Sequence, residues 1–134
     1  MDLALKGKHI LVAGASRGLG AAIVSCLLDE GARVTALGRN LDSLESAHRA
    51  WRHDHPLAQV ELLPLDLSDS FSVDPLREFV SREGTLDGVV AVAGSGRPHA
   101  GSLVENFESA VAQNLTPALV VMEATRTLLS AGAS

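Results

Sequence analysis

The 134-residue chain contains no tyrosine, one tryptophan, one cysteine and three phenylalanines. Without tyrosine there is no phenol to act as a proton donor at a carbonyl. A single cysteine, Cys26, excludes an intrachain disulfide and fits a reducing compartment. At a helical position it is expected to be a small buried or half-buried hydrophobe. Basic residues never cluster beyond two in a row and the formal net charge is −5, which argues against a nucleic-acid partner. No apolar run approaches the length of a membrane span, and the start of the chain, with Asp2, Lys6 and Lys8, has no apolar signal core. A cytoplasmic location with no membrane partner is the expectation.

With 46% hydrophobic and 20% charged residues, the composition is that of one globular domain over residues 1–134. Ile10-Leu11-Val12 reads as a first strand. Gly20, Ile23, Val24, Leu27 and Leu28 then recur at helical spacing, with Gly31 as a stop. Arg33 to Leu37 forms a second strand. A helix spaced by Leu41, Leu44, His48 and Trp51 follows, ending before Pro56. Gln59 to Leu65 makes a third strand that exits at Asp66. Asp74-Pro75 is the N-cap and first residue of a helix carrying Leu76, Phe79 and Val80, closed by Gly84. Leu86 to Ala93 is almost continuously apolar, as in a strand buried on both faces of a parallel sheet.

Four alternations of strand and helix predict an α/β doubly wound parallel sheet of order 3-2-1-4, with the ligand crevice where the order reverses. A final helix over 103–130 carries Phe107, Val111, Ala118, Val121 and Leu128 on a face that covers the sheet. Leu115, Leu119, Met122 and Leu129 form a second face with nothing in the chain to cover it. Pro117 inside that pattern predicts a kink or loosened turn near Gln113.

The glycines Gly14, Gly18 and Gly20 fall where the first strand becomes a helix. A helix N-terminus offers unpaired N–H groups and positive dipole, and glycine lets the backbone approach a pyrophosphate. Substituting Gly14 with valine is expected to exclude that pyrophosphate sterically. At the end of the second strand, where Asp or Glu would bond a free ribose 2′-hydroxyl, stands Gly38-Arg39. Arg39, with Arg17 in the glycine turn, can neutralise a 2′-phosphate, which favours NADP(H) over NAD(H); the alternative is two solvated arginines. His48, His53 and His55 lack the partners of a metal site and read as a solvated face.

The segment Ala13 to Gly20, preceded by Leu5-Lys6-Gly7-Lys8, resembles the classical short-chain dehydrogenase/reductase family, which carries TGxxxGxG here, with Ala13 in place of the threonine. The resemblance implies cofactor contacts from Gly14, Ser16, Arg17, Gly18, Leu19 and Gly20, and from Arg39. It implies adenine contacts from Asp66 and the N–H of Leu67, with Asp87 bracing the adenine pocket. Asp66 could equally be a helix-capping aspartate. The family's NNAG is here Ala91-Val92-Ala93-Gly94, so Ala93 and Gly94 keep a place beside the cofactor without either asparagine. The loop Ser95 to His99 would pass the nicotinamide ribose, with His99 an improbable base. Asn114 matches the asparagine of the catalytic tetrad, whose kinked helix holds a water; otherwise it satisfies carbonyls freed above Pro117.

By that resemblance the complete protein is an NADP(H)-dependent oxidoreductase moving a hydride to or from a small-molecule carbonyl or alcohol. Residues 1–134 match its cofactor-binding half, without the catalytic serine, tyrosine and lysine, and stop about where a fifth strand would begin. The alternative is a non-catalytic nucleotide-binding or protein-interaction module derived from the same fold. Full-length relatives pair through the helix matching residues 103–130, so a homo-oligomer through that segment is expected.

Overall fold

The computed structural model describes residues 2–95 and 101–134. Its elements run β1 (His9–Ala13), α1 (Gly18–Asp29), β2 (Arg33–Gly38), α2 (Leu41–Asp54), β3 (Val60–Pro64), α3 (Val73–Glu83), β4 (Gly88–Ala91), α4 (Leu103–Ala110) and α5 (Thr116–Thr125). The strands form one sheet of order β3-β2-β1-β4, every pair parallel, as the alternation predicts. Central β1 sets the register: Val12 lies beside Ala36 on one side and Val90 on the other.

All five residues of β1 are buried, and successive residues feed opposite faces of the sheet. Ile10 and Val12 meet Val24, Leu28, Leu44 and Trp51 from α1 and α2. Leu11 and Ala13 meet Leu76 and Val80 of α3 and Val121 and Ala124 of α5. A fully buried leucine of this kind contributes about 1.5–3 kcal/mol relative to leaving it in water. The predicted α1 stripe faces the sheet, with Gly20, Val24 and Leu28 buried.

Several expectations are corrected. Cys26 is exposed, because it falls on the solvent side of α1 between Val24 and Leu28. Helix α3 begins at Val73 with Ser72 as N-cap, so Asp74 and Pro75 sit inside its first turn. A 3₁₀ turn, Ser70–Ser72, precedes it and takes up the start that Asp74-Pro75 signals. Strand β4 is not buried on both faces, since Val89 and Val90 are half-buried and Ala91 is exposed. Nor is its outer edge wholly bare: Val89 N donates to Ser134 O, Ser130 N to Leu86 O, and Leu129 bridges Leu86 in parallel.

The helix expected over 103–130 is interrupted. Val111–Leu115 is a π turn, and α5 ends at Thr125. The loosened turn thus falls where Pro117, lacking an N–H, predicts it. A wider turn rotates every later side chain relative to the earlier ones, so the apolar stripe loses phase. Phe107 is 68% exposed rather than covering the sheet, whereas Pro117, Val120, Val121, Ala124 and Thr125 are buried. Leu115, Leu119 and Met122 remain 53%, 54% and 63% exposed, as the second face requires.

Asp87 is corrected too. It precedes β4, at the end of the sheet away from the glycine turn, where it accepts from His9 N at 2.9 Å and Ser130 Oγ at 2.9 Å and pairs with Lys8. His9, buried, anchors this end. Arg33 Nη2 lies 2.8 Å from His9 Nδ1 and can only donate, so the ring's hydrogen is on Nε2, which reaches Thr35 Oγ1 at 2.9 Å. The Thr85 carbonyl lies 3.2 Å from Nδ1 and would serve only a protonated ring. Burial and the Arg33 charge hold His9 below the ordinary histidine pKa, against the raising pull of Thr85, Glu83 and Asp87. The folded state therefore binds fewer protons than the unfolded one just below pH 6.5, and stability is lost as pH falls through that range. Urea midpoints should drop between pH 7.5 and 5.5, and His9→Gln should flatten the slope. An unchanged slope in that variant would assign the dependence elsewhere.

Candidate functional site

A cavity of about 380 Å³ opens at the C-terminal ends of β1, β2, β3 and β4. It is lined by Gly14, Ser16, Arg17, Gly18, Leu19 and Gly20 from the turn into α1, by Arg39 after β2, by Asp66 and Leu67 after β3, and by Ala93 and Gly94 after β4. Each of those residues is one the sequence singles out for the cofactor. Leu37, Gly38, Leu65, Ser68, Val92, Ser95, Gln113 and Pro117 complete the walls. Gln113 and Pro117 arrive from the helical segment, and no local sequence signal marks them for this site; the π turn carries them there.

Gly14 has φ +87°, and a Cβ on it would lie 2.6 Å from Ala93 N. The clash falls on the backbone beyond β4, so packing alone already requires glycine here, before any exclusion of a pyrophosphate. A Cβ on Gly20 would overlap the Gly14 carbonyl oxygen, so that glycine allows α1 to start directly above the turn. The turn is fixed from below by Gly14 N and Ala15 N, both donating to Leu37 O.

The N-cap of α1 is Arg17, whose side chain makes no capping bond, and the first turn has no acidic residue. Its N–H groups and positive dipole end are therefore free of an internal anion. Arg17 and Arg39 add two exposed cations to the same rim. Such a rim suits phosphate groups.

Asp66 Oδ1 accepts from Ser68 N at 2.9 Å. Ser68, through its N–H and hydroxyl, holds the Asp66 carboxyl below its usual range, and the Arg39 charge adds to this. Asp66 is thus an ionised acceptor at the cavity wall; it caps its own turn and not a helix, while Asp69 caps the 3₁₀ turn.

Asn114 lies on the π turn, exposed, with its amide committed to main chain. Oδ1 accepts from Ser95 N at 2.9 Å, and Nδ2 donates to Ser95 O and Ala110 O, both at 3.0 Å. It clamps the segment leaving β4 and satisfies one carbonyl of the loosened helix. A Cβ on Gly94 would stand 2.5 Å from Asn114 Oδ1, so this glycine makes room for the clamp. Gly96, Arg97, Pro98 and His99 lie outside the described residues.

His55 is not on a solvated face: its side chain is 15% exposed, with Nδ1 3.5 Å from Asp29 Oδ1 and Nε2 3.4 Å from Ser25 Oγ. Among the described residues no group of three or more histidine, cysteine or acidic side chains could hold a metal. Among the described residues no helix is long and apolar enough to cross a membrane.

Residues 8–134 match the sequence profile of the family described as short chain dehydrogenase. The chain belongs to that family. It is 31% identical over 135 residues to D-threitol dehydrogenase of Mycolicibacterium smegmatis, covering 98% of this chain and 51% of the relative. It superimposes on the RhlG/NADP active-site complex of Pseudomonas aeruginosa with TM-score 0.84 and 27% identity, covering 97% and 51% of the two chains. L-sorbose reductase of Gluconobacter frateurii, complexed with NADPH and L-sorbose, gives TM-score 0.81 and 27% identity over 96% and 48%. The chain thus spans about half the length of these relatives. Members of the family use nicotinamide cofactors, and the cavity has the parts for one: an uncapped helix N-terminus, two arginines and an ionised acid.

Gly14→Val should destabilise the fold by about 2–5 kcal/mol through backbone strain and contact with Ala93, and abolish nucleotide binding with it. Gly18→Ala, at φ +56° with nothing within 4 Å of the added Cβ, should cost only about 1–2 kcal/mol. Urea denaturation of both variants checks this, and equal losses would remove the Ala93 contact as the cause.

Proposed function

We propose that the cavity binds NADP(H), and that residues 1–134 are the cofactor-binding portion of an oxidoreductase acting on a carbonyl or alcohol substrate. The observation that carries the cofactor choice is Arg39, just after β2 on the cavity wall, where Gly38-Arg39 stands in place of an acidic residue; the acid near it, Asp66, comes from the loop after β3. A carboxylate there would repel a 2′-phosphate; the guanidinium forks onto it. The P. aeruginosa and G. frateurii neighbours, described with NADP and NADPH, support the same choice. The nicotinamide, when bound, supplies or accepts the hydride. This chain's residues would hold it: the α1 N-terminus with Arg17 on the phosphates, Asp66 and Leu67 on the adenine, and Ala93 and Gly94 at the inner end, kept in place by Asn114.

A second reading follows from the missing tyrosine. A module that binds nucleotide without catalysis, or that serves a protein partner, fits a polypeptide with no phenolic proton donor. Titration with NADPH and NADH tests the first reading. NADPH should bind more tightly, Arg39→Asp should cost NADPH roughly 1–3 kcal/mol, and ketone should not be reduced by these residues alone. Equal affinity for the two cofactors would overturn the assignment.

The partner we propose for the exposed helix is a second copy. Leu115, Leu119 and Met122 recur at i, i+4 and i+7, and an apolar stripe of that kind is an association surface. Light scattering at micromolar concentration should report a dimer or larger species that Leu119→Glu disperses. A monomer unaffected by that substitution would refute it.

A further inference from the structure

We propose that Ser72, outside the cavity, is a positioning residue that sets recognition of the purine base, an inference that rests on the NADP(H) reading above. Ser72 is buried at the N-cap of α3, yet its side chain makes no capping bond there. Its hydroxyl instead donates to the carbonyl oxygen of Asp66, six residues back. That carbonyl and the N–H of Leu67 belong to one peptide unit, which is planar and trans, so they point in opposite directions. Tying the carbonyl toward α3 fixes the Leu67 N–H toward the other side, where Leu67 lines the cavity.

Among the described residues, the other hydrogen bonds of the surrounding loop are made by its neighbours. Leu65 N donates to Gly38 O, which fixes the chain up to β3's end. Ser68 N is spent on the Asp66 carboxylate, and Phe71 N and Ser72 N on Asp69. The Asp69 bonds lie beyond the Asp66–Leu67 peptide, and the turn closed by Ser68 N on the Asp66 carboxylate has that peptide at its centre, where it can be held in either of two flipped orientations. The Leu67 side chain, buried against Leu76 and Val80, pins the residue's position without selecting between those two orientations. The Ser72 hydroxyl is the bond that chooses the orientation.

Adenine presents an acceptor ring nitrogen next to its 6-amino group. An N–H donor from Leu67 beside an ionised carboxylate from Asp66 is complementary to adenine, whose 6-amino group donates. The pair discriminates against hypoxanthine, whose 6-oxo group accepts and whose adjacent ring nitrogen carries hydrogen. Loss of the Ser72 hydroxyl frees the peptide to turn its carbonyl inward, which removes one donor and shifts the carboxylate. The preference between bases then collapses, while contacts to the phosphates remain.

The test is a titration of the whole chain with NADPH and with its hypoxanthine analogue, monitored by nicotinamide fluorescence. The unsubstituted chain should prefer the adenine form. Ser72→Ala should reduce that preference by about tenfold, with hypoxanthine-form affinity little changed, and Ser72→Thr, which keeps the hydroxyl, should restore it. Far-UV circular dichroism and a urea midpoint establish that each variant is folded. If Ser72→Ala does not fold, Ser72→Cys, whose thiol is a weak donor, should show the same loss of preference. Equal weakening of both ligands, or an unchanged preference in the folded variant, overturns the role of Ser72 and leaves the NADP(H) reading standing. Failure of the unsubstituted chain to bind either form overturns that reading and this inference together.

Discussion

The turn between β1 and α1 is built on backbone packed against backbone. Gly14 lies so close to Ala93, and Gly20 so close to the Gly14 carbonyl, that any side chain at either point would displace main chain. These contacts bring the ends of β1 and β4 and the start of α1 to one place, and the cavity is the space they leave. Because the neighbours are backbone, they cannot yield by changing rotamer. The geometry of the turn is therefore a property of the backbone itself, and side chains such as Asn114 hold the segments that meet it.

The sheet's two ends are used differently. At the C-terminal end the polar groups face an open cavity, with an uncapped helix, two arginines and the Asp66 carboxylate. At the opposite end His9, Thr35, Arg33, Glu83 and Asp87 satisfy one another across strands β1, β2 and β4. No buried side-chain nitrogen or oxygen lacks a partner among the described residues. A closed network at one end and an open rim at the other suit a sheet that is held at its base and binds at its mouth.

Features set within a few consecutive residues are legible in the amino-acid sequence. The glycine spacing, the strand order and the residues that come together around the cavity fall into this group, because a turn between strand and helix is encoded locally and parallel strands order themselves by short crossovers. What is not legible depends on phase or on distant partners. Pro117 signals the π turn at Val111–Leu115 as a loosening, but not its rotation of Phe107 out of the core. Asp87 matches by position and is engaged with His9 and Ser130, 78 and 43 residues away in the chain. Cys26 is apolar by residue type, and a helix with buried glycine, valine and leucine on one stripe has no room left on it for a further core residue. The apolar run of β4 reads as doubly buried, since residue type records what a strand is able to pack against and not what it meets within these 134 residues.

The exposure of Cys26 has a practical consequence for handling this protein. As the sole thiol, on the solvent side of α1, it can join two molecules through an intermolecular disulfide in air, independently of any helix face. Species of doubled mass must therefore be judged under reducing conditions. The same chemistry offers a benefit: a maleimide dye would attach at one position, on the helix whose first turn lines the cavity, without touching its walls.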